Sequence, residues 1–153
     1  VLSRLEGFSG PAHLEMRLGG DGPKLIELNP RQPGGFVPDL VRATTGRDIF
    51  LDTICGLLEQ ELPLQGAEVP AATWWQIYPD RAGRVVRCHV PDQVRAAEET
   101  LHIDLNVGPG DLLSPPCDTP GRLGDLLVSG EDVADSLTRA GRLGRMVEIA
   151  LAT

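Results

Sequence analysis

The sequence predicts an α+β fold built from antiparallel sheets and a few helices, and three observations support this class. Residues 10–35 alternate as a β-hairpin does, and two helical patterns follow them. The rest of the chain alternates between short strand-like and helix-like runs, in the order β-β-α-β and then β-α-β. We expect an antiparallel hairpin sheet with helices over residues 1–62, a linker at 63–70, and a smaller β-rich subdomain over residues 71–153.

The hairpin is predicted from two strand-like runs, residues 11–18 and 24–29, joined by a turn-forming stretch rich in glycine at 19–23. With a five-residue loop, the expected cross-strand pairs are Leu18 with Lys24, Glu15 with Glu27, and His13 with Asn29. Alternation with a period of two then places apolar side chains on the face of the hairpin opposite Glu15 and Glu27. These apolar residues are Leu14, Met16, Leu18, Ile26 and Leu28.

Helices are predicted on both sides of the hairpin. Residues 1–10 suggest the tail of a helix that ends in a turn. After the hairpin, Pro38 favours the first turn of a helix over 38–45, which Gly46 ends. Asp48 is a typical N-cap for a second helix over 49–62, where apolar residues recur at helical spacing.

The second part of the chain contains many short elements separated by Gly and Pro. We expect strands at 71–78 and 85–90 paired around the turn 80–83, a helix at 91–97, a strand at 100–107, a proline-rich loop at 108–120, a strand at 124–129, a helix at 131–140 and a last strand at 145–151. Val133, Ala134 and Leu137 are expected to face inward. Trp74 and Trp75 are adjacent in a strand and point to opposite faces, so one belongs in the core and the other at an interface or against a ligand.

Composition disfavours several classes of function. The net charge is −8 without a basic run, which argues against a nucleic-acid or acidic-membrane partner. No apolar stretch approaches the ~18 residues that span a bilayer. Cys55, Cys88 and Cys117 are odd in number and widely spaced, so we expect reduced thiols and a cytoplasmic location. Zinc-ligand spacings such as C-x-x-C are missing from the sequence.

The predicted register places two carboxylates, those of Glu15 and Glu27, directly across from each other. Like charges with Cβ atoms roughly 4.5–5.5 Å apart destabilise a sheet unless something neutralises them. A divalent cation does so, and the oxygen set of Glu15, Glu27 and the Asn29 amide suits Mg²⁺ or Mn²⁺, completed by phosphates and water. The alternative is a solvated polar face with Arg17 as the counter-charge.

The spacing around this pair resembles that of a known superfamily. The pattern consists of a Glu, eleven further residues, the motif Glu-x-Asn-x-Arg and then a Gly-Gly pair. This pattern is similar to the metal-binding hairpin of the ATP-grasp superfamily of carboxylate–amine and carboxylate–thiol ligases. His13, two residues before the first Glu, and Gly34-Gly35 leading into DLVRATTGRDIF look like the branch that contains the L-amino-acid ligases. Biotin carboxylase and D-alanine–D-alanine ligase are more distant. The resemblance is specific over residues 10–56.

The resemblance implies an ADP-forming, ATP-dependent carboxylate–amine ligase that works through an acyl phosphate. It implies Glu15, Glu27 and Asn29 as magnesium ligands and Arg31 as the residue that stabilises the transferring phosphoryl group. The expected contacts to the nucleotide are Arg31, Gly34, Gly35 and His13. The two glycines let the backbone approach a ligand, although an ordinary strand-to-helix turn is the alternative. His13 either orients Glu27 or Asn29 or has a structural role.

The implied enzyme needs more than this sequence contains. ATP-grasp enzymes bind nucleotide between two lobes, and the lysines and glycine-rich phosphate loop of the first lobe are not found here, since Lys24 is the only lysine. We therefore expect the C-terminal part of a larger enzyme, inactive alone, whose partners are the N-terminal lobe, ATP, a small carboxylate and an amine, with a homodimer left open. The alternatives are a non-catalytic interaction or oligomerisation module and another ATP-grasp branch, such as a biotin-carboxylase-like or purine-biosynthetic ligase.

Overall fold

The computed structural model describes residues 7–63, 65–114 and 121–152. The chain divides into two compact units, Val1–Ala67 and Glu68–Thr153. The predicted mixed α and β class with antiparallel sheets is confirmed. The start of the predicted helix tail at 1–10, the end of the predicted loop at 108–120 and Cys117 lie outside the described residues. Within the described ranges, no helix combines the length and apolar character needed to cross a membrane.

The first unit contains one hairpin and two helices. Its elements are β1 (His13–Gly19), β2 (Gly22–Asn29), α1 (Val37–Thr45) and α2 (Ile49–Leu57). The two strands pair antiparallel. α1 carries a proline in its first turn and is followed by Gly46 in the left-handed conformation, as expected of a helix C-cap.

The hairpin turn is tighter than predicted, because Gly19 pairs with Gly22 and leaves a two-residue loop. The prediction that Leu18 pairs with Lys24 is wrong, since Arg17 takes that position. A β-bulge follows Glu15 and leaves Ile26 as the extra residue of β2, so Leu25 rather than Ile26 lies opposite Met16. The shorter loop shifts the pairing next to the turn by one residue, and the bulge cancels this shift. From Glu15–Glu27 onward, the strands therefore pair in the predicted register.

The second helix begins as predicted and ends early. The Asp48 carboxylate accepts hydrogen bonds from the backbone N–H groups of Phe50 and Leu51, which is an N-cap. The predicted end at residue 62 is wrong, because the helix ends at Leu57 and Glu59 adopts a left-handed conformation with φ 55°. None of the residues of α2 is buried within the first unit.

The described residues of the second unit form two three-stranded antiparallel sheets. Its elements are β3 (Ala71–Ile77), β4 (Gly83–His89), α3 (Asp92–Arg95), β5 (Thr100–Leu105), β6 (Leu112–Leu113), β7 (Gly124–Gly130), α4 (Val133–Gly144) and β8 (Glu148–Leu151). One sheet has the strand order β3-β7-β5, and the other has the order β6-β4-β8. The predicted pairing of β3 with β4 is wrong, because β3 pairs with β7 and β4 pairs with β6 and β8. β7 is buried along almost its whole length, which suits it to a central position.

Two clusters of apolar side chains form the core of this unit. One contains Val90, Val94, Leu126, Val128, Ala140 and Leu143. The other contains Ile77, Val85, Leu113 and Leu123. Trp75, Ile103, Leu105 and Val147 pack against both clusters, so the two sheets share a continuous interior.

The inward face of α4 differs from the prediction. Val133 and Leu137 are 74% and 52% exposed, and Ala134 is exposed as well, so the prediction that these residues face inward is wrong. The buried residues are Ser136, Ala140, Gly141 and Leu143. Small residues allow α4 to approach β3 closely, and the Ser136 hydroxyl meets the Thr73 hydroxyl at 2.8 Å.

Candidate functional site

The carboxylate pair of the hairpin occupies the predicted register. Glu15 and Glu27 are Cα partners in the antiparallel ladder, so their side chains project from the same face. Both residues are exposed, and neither forms an ion pair with another described residue. Lys24 pairs with Asp21 at 3.4 Å instead, and Arg17 forms no ion pair within the described part of the chain. The two carboxylates therefore have no ion-pair partner among the described residues.

Asn29 and His13 extend this face by one further pair, as predicted. They are Cα partners two residues from the glutamates, on a regular part of the ladder, and both are half-buried. The Nδ1 atom of His13 is buried and has no hydrogen-bond partner among the described residues. No group of three His, Cys, Asp or Glu side chains converges among the described residues. A set of three oxygen donors on this face therefore requires the Asn29 amide, a composition that suits Mg²⁺ or Mn²⁺.

The loop after β2 contains Arg31, two residues after Asn29. The backbone N–H of Arg31 donates to the Asn29 carbonyl at 2.9 Å, and its Nη1 donates to the Gln32 carbonyl at 2.8 Å. The side-chain amide of Gln32 donates to the Ile49 carbonyl at 2.7 Å and to the Thr53 hydroxyl. Gln32 therefore ties the loop to α2 while the guanidinium of Arg31 stays exposed. The sequence analysis missed Gln32, because a single polar residue in a loop has no periodic signal.

Gly34 and Gly35 line a cleft of about 320 Å³ at the start of α1. Gly35 has φ 62°, a conformation that favours glycine, and the helix has no side-chain N-cap. First-turn N–H groups and Arg42 favour an anion there. Asp39 and Asp48 also line the cleft, and their negative charges disfavour an anion there.

The second unit contains a buried carboxylate that the sequence analysis did not select. Asp125 is 1% exposed, and its Oδ1 accepts a hydrogen bond of 2.7 Å from Trp74 Nε1. The Nε atom of Arg122 lies 3.3 Å from the same oxygen, and its Cζ atom lies 5.4 Å from the centroid of the Trp74 ring. Asp104 is the Cα partner of Asp125, and its Oδ1 lies 3.6 Å from His102 Nε2. The available signal was an aspartate directly before the apolar run Leu126–Val128 of β7.

The two tryptophans have different environments, as their adjacency predicts. Trp75 packs against both core clusters, whereas Trp74 lies with Asp125 and Arg122 on the other face of the sheet. The expectation that one tryptophan is part of the core is therefore confirmed for Trp75.

The fold is similar to that of part of several solved ligases and carboxylases. The L-amino acid ligase from Bacillus licheniformis is 22% identical with a TM-score of 0.79, over 99% of this chain and 38% of that chain. The phosphoribosylglycinamide synthetase from Anaerococcus prevotii is 13% identical with a TM-score of 0.73, over 92% of this chain and 37% of that one. A third structure is the biotin carboxylase domain dimer of Hydrogenobacter thermophilus 2-oxoglutarate carboxylase in complex with MgADP, ADP and bicarbonate. It is 16% identical with a TM-score of 0.62, over 93% of this chain and 32% of that chain.

The chain thus spans less than two fifths of the length of each of these three proteins. No curated protein sequence matches it significantly. A family model for the L-amino acid ligase C-terminal domain 2 matches residues 75–152, which is just over half of the chain. The predicted resemblance to the C-terminal part of ATP-grasp ligases, in the branch of the L-amino-acid ligases, is confirmed. The chain belongs to the L-amino acid ligase C-terminal domain 2 family.

Proposed function

We propose that this chain supplies the metal-binding side of the active site in an ADP-forming, ATP-dependent carboxylate–amine ligase. The observation that carries the proposal is the cross-strand pair of Glu15 and Glu27, with Asn29 on the same face. Membership of an L-amino acid ligase family and the fold shared with a carboxylase domain that binds MgADP support it.

The residues that would hold Mg²⁺ are Glu15, Glu27 and Asn29. They fit the ion because two carboxylates, without an ion-pair partner among the described residues, and the Asn29 side-chain amide lie on one face of the hairpin. When bound, the ion supplies charge neutralisation for the phosphate oxygens of ATP.

Arg31 has the chemistry needed for the transferring phosphoryl group. Arg31 is exposed in the loop that follows β2, and its guanidinium remains charged at any physiological pH. In the proposed reaction, a substrate carboxylate oxygen attacks the γ-phosphorus of ATP and releases ADP. An amine then attacks the acyl carbon, releases phosphate and loses a proton to give an amide. Arg31 would meet the negative charge that develops on the phosphoryl oxygens, while Gln32 keeps the loop in place.

His13 is proposed to contact the nucleotide or to orient Asn29, its partner in the ladder. The buried Nδ1, which has no hydrogen-bond partner in the described ranges of the chain, supports a role that is completed when ligand binds. Gly34 and Gly35 are proposed as backbone contacts to phosphate oxygens. The acidic lining of their cleft makes this the weaker part of the nucleotide site.

A substitution in the complete protein tests the metal assignment. Glu27→Gln keeps the size of the side chain and removes one of the two paired charges, so ATP turnover should be lost while the circular dichroism spectrum is unchanged. Asp21→Asn is the matched control, because it removes a carboxylate from the tip of the same hairpin. Near-normal turnover in Glu27→Gln contradicts the assignment.

A titration separates the ligase from a non-catalytic module that keeps the same hairpin. Calorimetry of the complete protein with Mg²⁺ and ATP should give saturable binding that Glu27→Gln abolishes. Absence of binding in the native protein favours the interaction or oligomerisation module. The 153-residue chain alone should neither bind ATP tightly nor hydrolyse it, because the proposed nucleotide site also requires an opposing lobe, and ATPase activity of this chain alone refutes the two-lobe proposal.

A further inference from the structure

A cleft of about 500 Å³ in the second unit has no role in the function proposed above. Residues 75–81, from the end of β3, form one side, and residues at the end of α4 and along β8 form the other. In the described part of the chain, β3 pairs only with β7 and β8 pairs only with β4, so the cleft lies between the edge strands of two sheets. Its volume is within the range of small-molecule sites.

The indole of Trp75 forms part of the wall of the cleft, and its Nε1 lies beside Gly144. The ring lies against the small residues of α4, since a Cβ on Gly141 would be 3.6 Å from its six-membered ring and a Cβ on Gly144 would be 2.5 Å from Nε1. Gly144 itself lines the cleft. Trp75 Nε1 has no hydrogen-bond partner among the described residues, whereas the Trp74 indole is bonded to Asp125.

The charged residues of the cleft favour an anion. Arg81, Arg145 and Asp80 give its lining a net positive charge in a chain whose net charge is −8. Neither arginine forms an ion pair with a described carboxylate. Arg145 Nη1 would lie 3.5 Å from a Cβ on Gly141, which places this guanidinium beside the Trp75 ring. Arg81 Nη1 donates to the Ala152 carbonyl at 3.3 Å and keeps other donors available.

The floor of the cleft is apolar. Ile77 is 7% exposed, and Val147, Ile149 and Leu151 pack against the same core cluster. A ligand that matches this lining has an apolar body against the floor and an anionic oxygen group against the indole N–H and the arginines.

We propose that this cleft binds a small organic carboxylate with an apolar body. The carboxylate accepts hydrogen bonds from Trp75 Nε1 and from the guanidinium of Arg145, and the body covers Ile149 and Leu151. The inference does not rest on the proposed ligase function, because the cleft contains no residue of the hairpin.

Fluorine NMR of the complete protein labelled with fluorotryptophan tests this proposal. Trp75→Phe and Trp74→Phe identify the two resonances that belong to this chain. Phenylacetate should shift the Trp75 resonance saturably and leave the Trp74 resonance in place. Phenylacetamide, which has the same body without the charge, and inorganic phosphate, which has charge without the body, should each bind at least roughly tenfold more weakly.

Charge-removing variants complete the test. Arg145→Gln, and separately Arg81→Gln, should weaken phenylacetate binding roughly tenfold, and an unchanged Trp74 resonance shows that each variant is folded. Arg95→Gln, at an exposed position outside the cleft, is the matched control and should bind like the native protein. The proposal is overturned if the Trp75 resonance shows no saturable shift, if both cleft variants bind as the native protein does, or if phosphate or phenylacetamide binds as tightly as phenylacetate.

Discussion

The indole N–H of Trp74 donates a hydrogen bond of 2.7 Å to the carboxylate of Asp125, which is 1% exposed. The Nε atom of Arg122 lies 3.3 Å from the same oxygen. A buried carboxylate costs much free energy unless it is hydrogen-bonded and paired, so Trp74 and Arg122 together allow Asp125 to occupy the central strand.

Trp74→Phe should destabilise the protein by about 1–3 kcal/mol, because it leaves the buried Asp125 with one partner fewer. The measurement is the free energy of unfolding in urea. Tyr78→Phe is the control, since its hydroxyl bonds to Gln76 at 3.0 Å on an exposed surface and should cost less than about 0.5 kcal/mol. Equal effects of the two substitutions would show that the bond to Asp125 has no special weight.

Two glycines on one helix should respond to alanine in opposite directions. A Cβ on Gly144 would lie 2.5 Å from the Nε1 atom of the rigid Trp75 indole, so Gly144→Ala must displace the ring and should destabilise the protein by about 1–3 kcal/mol. Gly141→Ala places its Cβ 3.5–3.6 Å from its neighbours, which is ordinary contact. This substitution should be neutral or stabilise by up to about 1 kcal/mol, through helix propensity. Thermal unfolding of both variants checks the prediction, and the same sign for both contradicts it.

Asp135 should contribute stability that depends on pH. The Glu131 backbone N–H donates to its carboxylate at 2.9 Å and holds the pKa of Asp135 below the usual 3.8, with Arg139 adding to the effect. A carboxyl whose pKa is lower in the folded state stabilises the fold above its unfolded pKa and loses that contribution as pH falls through the folded value.

Asp135→Asn should therefore be less stable than the native protein at pH 7, and the difference should begin to close near pH 3.8 and vanish once the pH is below the lowered pKa of the folded state. Urea unfolding at a series of pH values measures this. Arg139→Gln should reduce the pH-dependent difference without removing it, since the backbone N–H remains. A gap that is constant with pH would mean that the carboxylate charge is not involved.

Local patterns were sufficient to predict the candidate hairpin site, and long-range packing explains what they missed. Glu15 and Glu27 are close in sequence, so alternation and turn residues determine their pairing, and even the misjudged loop was compensated by the bulge at Ile26. The Arg31 loop depends on Gln32 bonding to Ile49 and Thr53, which no local pattern encodes.

The second unit was harder to predict because its sheets are assembled from distant segments. The turn-forming sequence at 80–83 predicts that β3 pairs with β4. In the structure, β3 pairs with β7 instead, and β7, which is buried along almost its whole length, is the central strand of its sheet. On α4, apolar content favoured Val133 and Leu137, whereas the close approach to β3 selects the small residues Ser136 and Gly141. Close packing of small residues leaves little hydrophobic signal in a sequence.

Arg31→Ala tests the role proposed for the exposed guanidinium at the end of the hairpin. If Arg31 meets charge that develops on the transferring phosphoryl group, its loss should lower kcat in the complete protein by about 100-fold or more and change the KM for ATP much less. Arg17→Ala is the matched control, because Arg17 is an exposed arginine of the same hairpin, opposite Lys24, and its loss should leave both constants within about twofold. Steady-state kinetics at saturating Mg²⁺ measures both, together with circular dichroism to show that the variants are folded. A raised KM with an unchanged kcat would mean that Arg31 only binds ATP, and an equal loss in Arg17→Ala would mean that the overall charge of the hairpin matters rather than the position of this guanidinium.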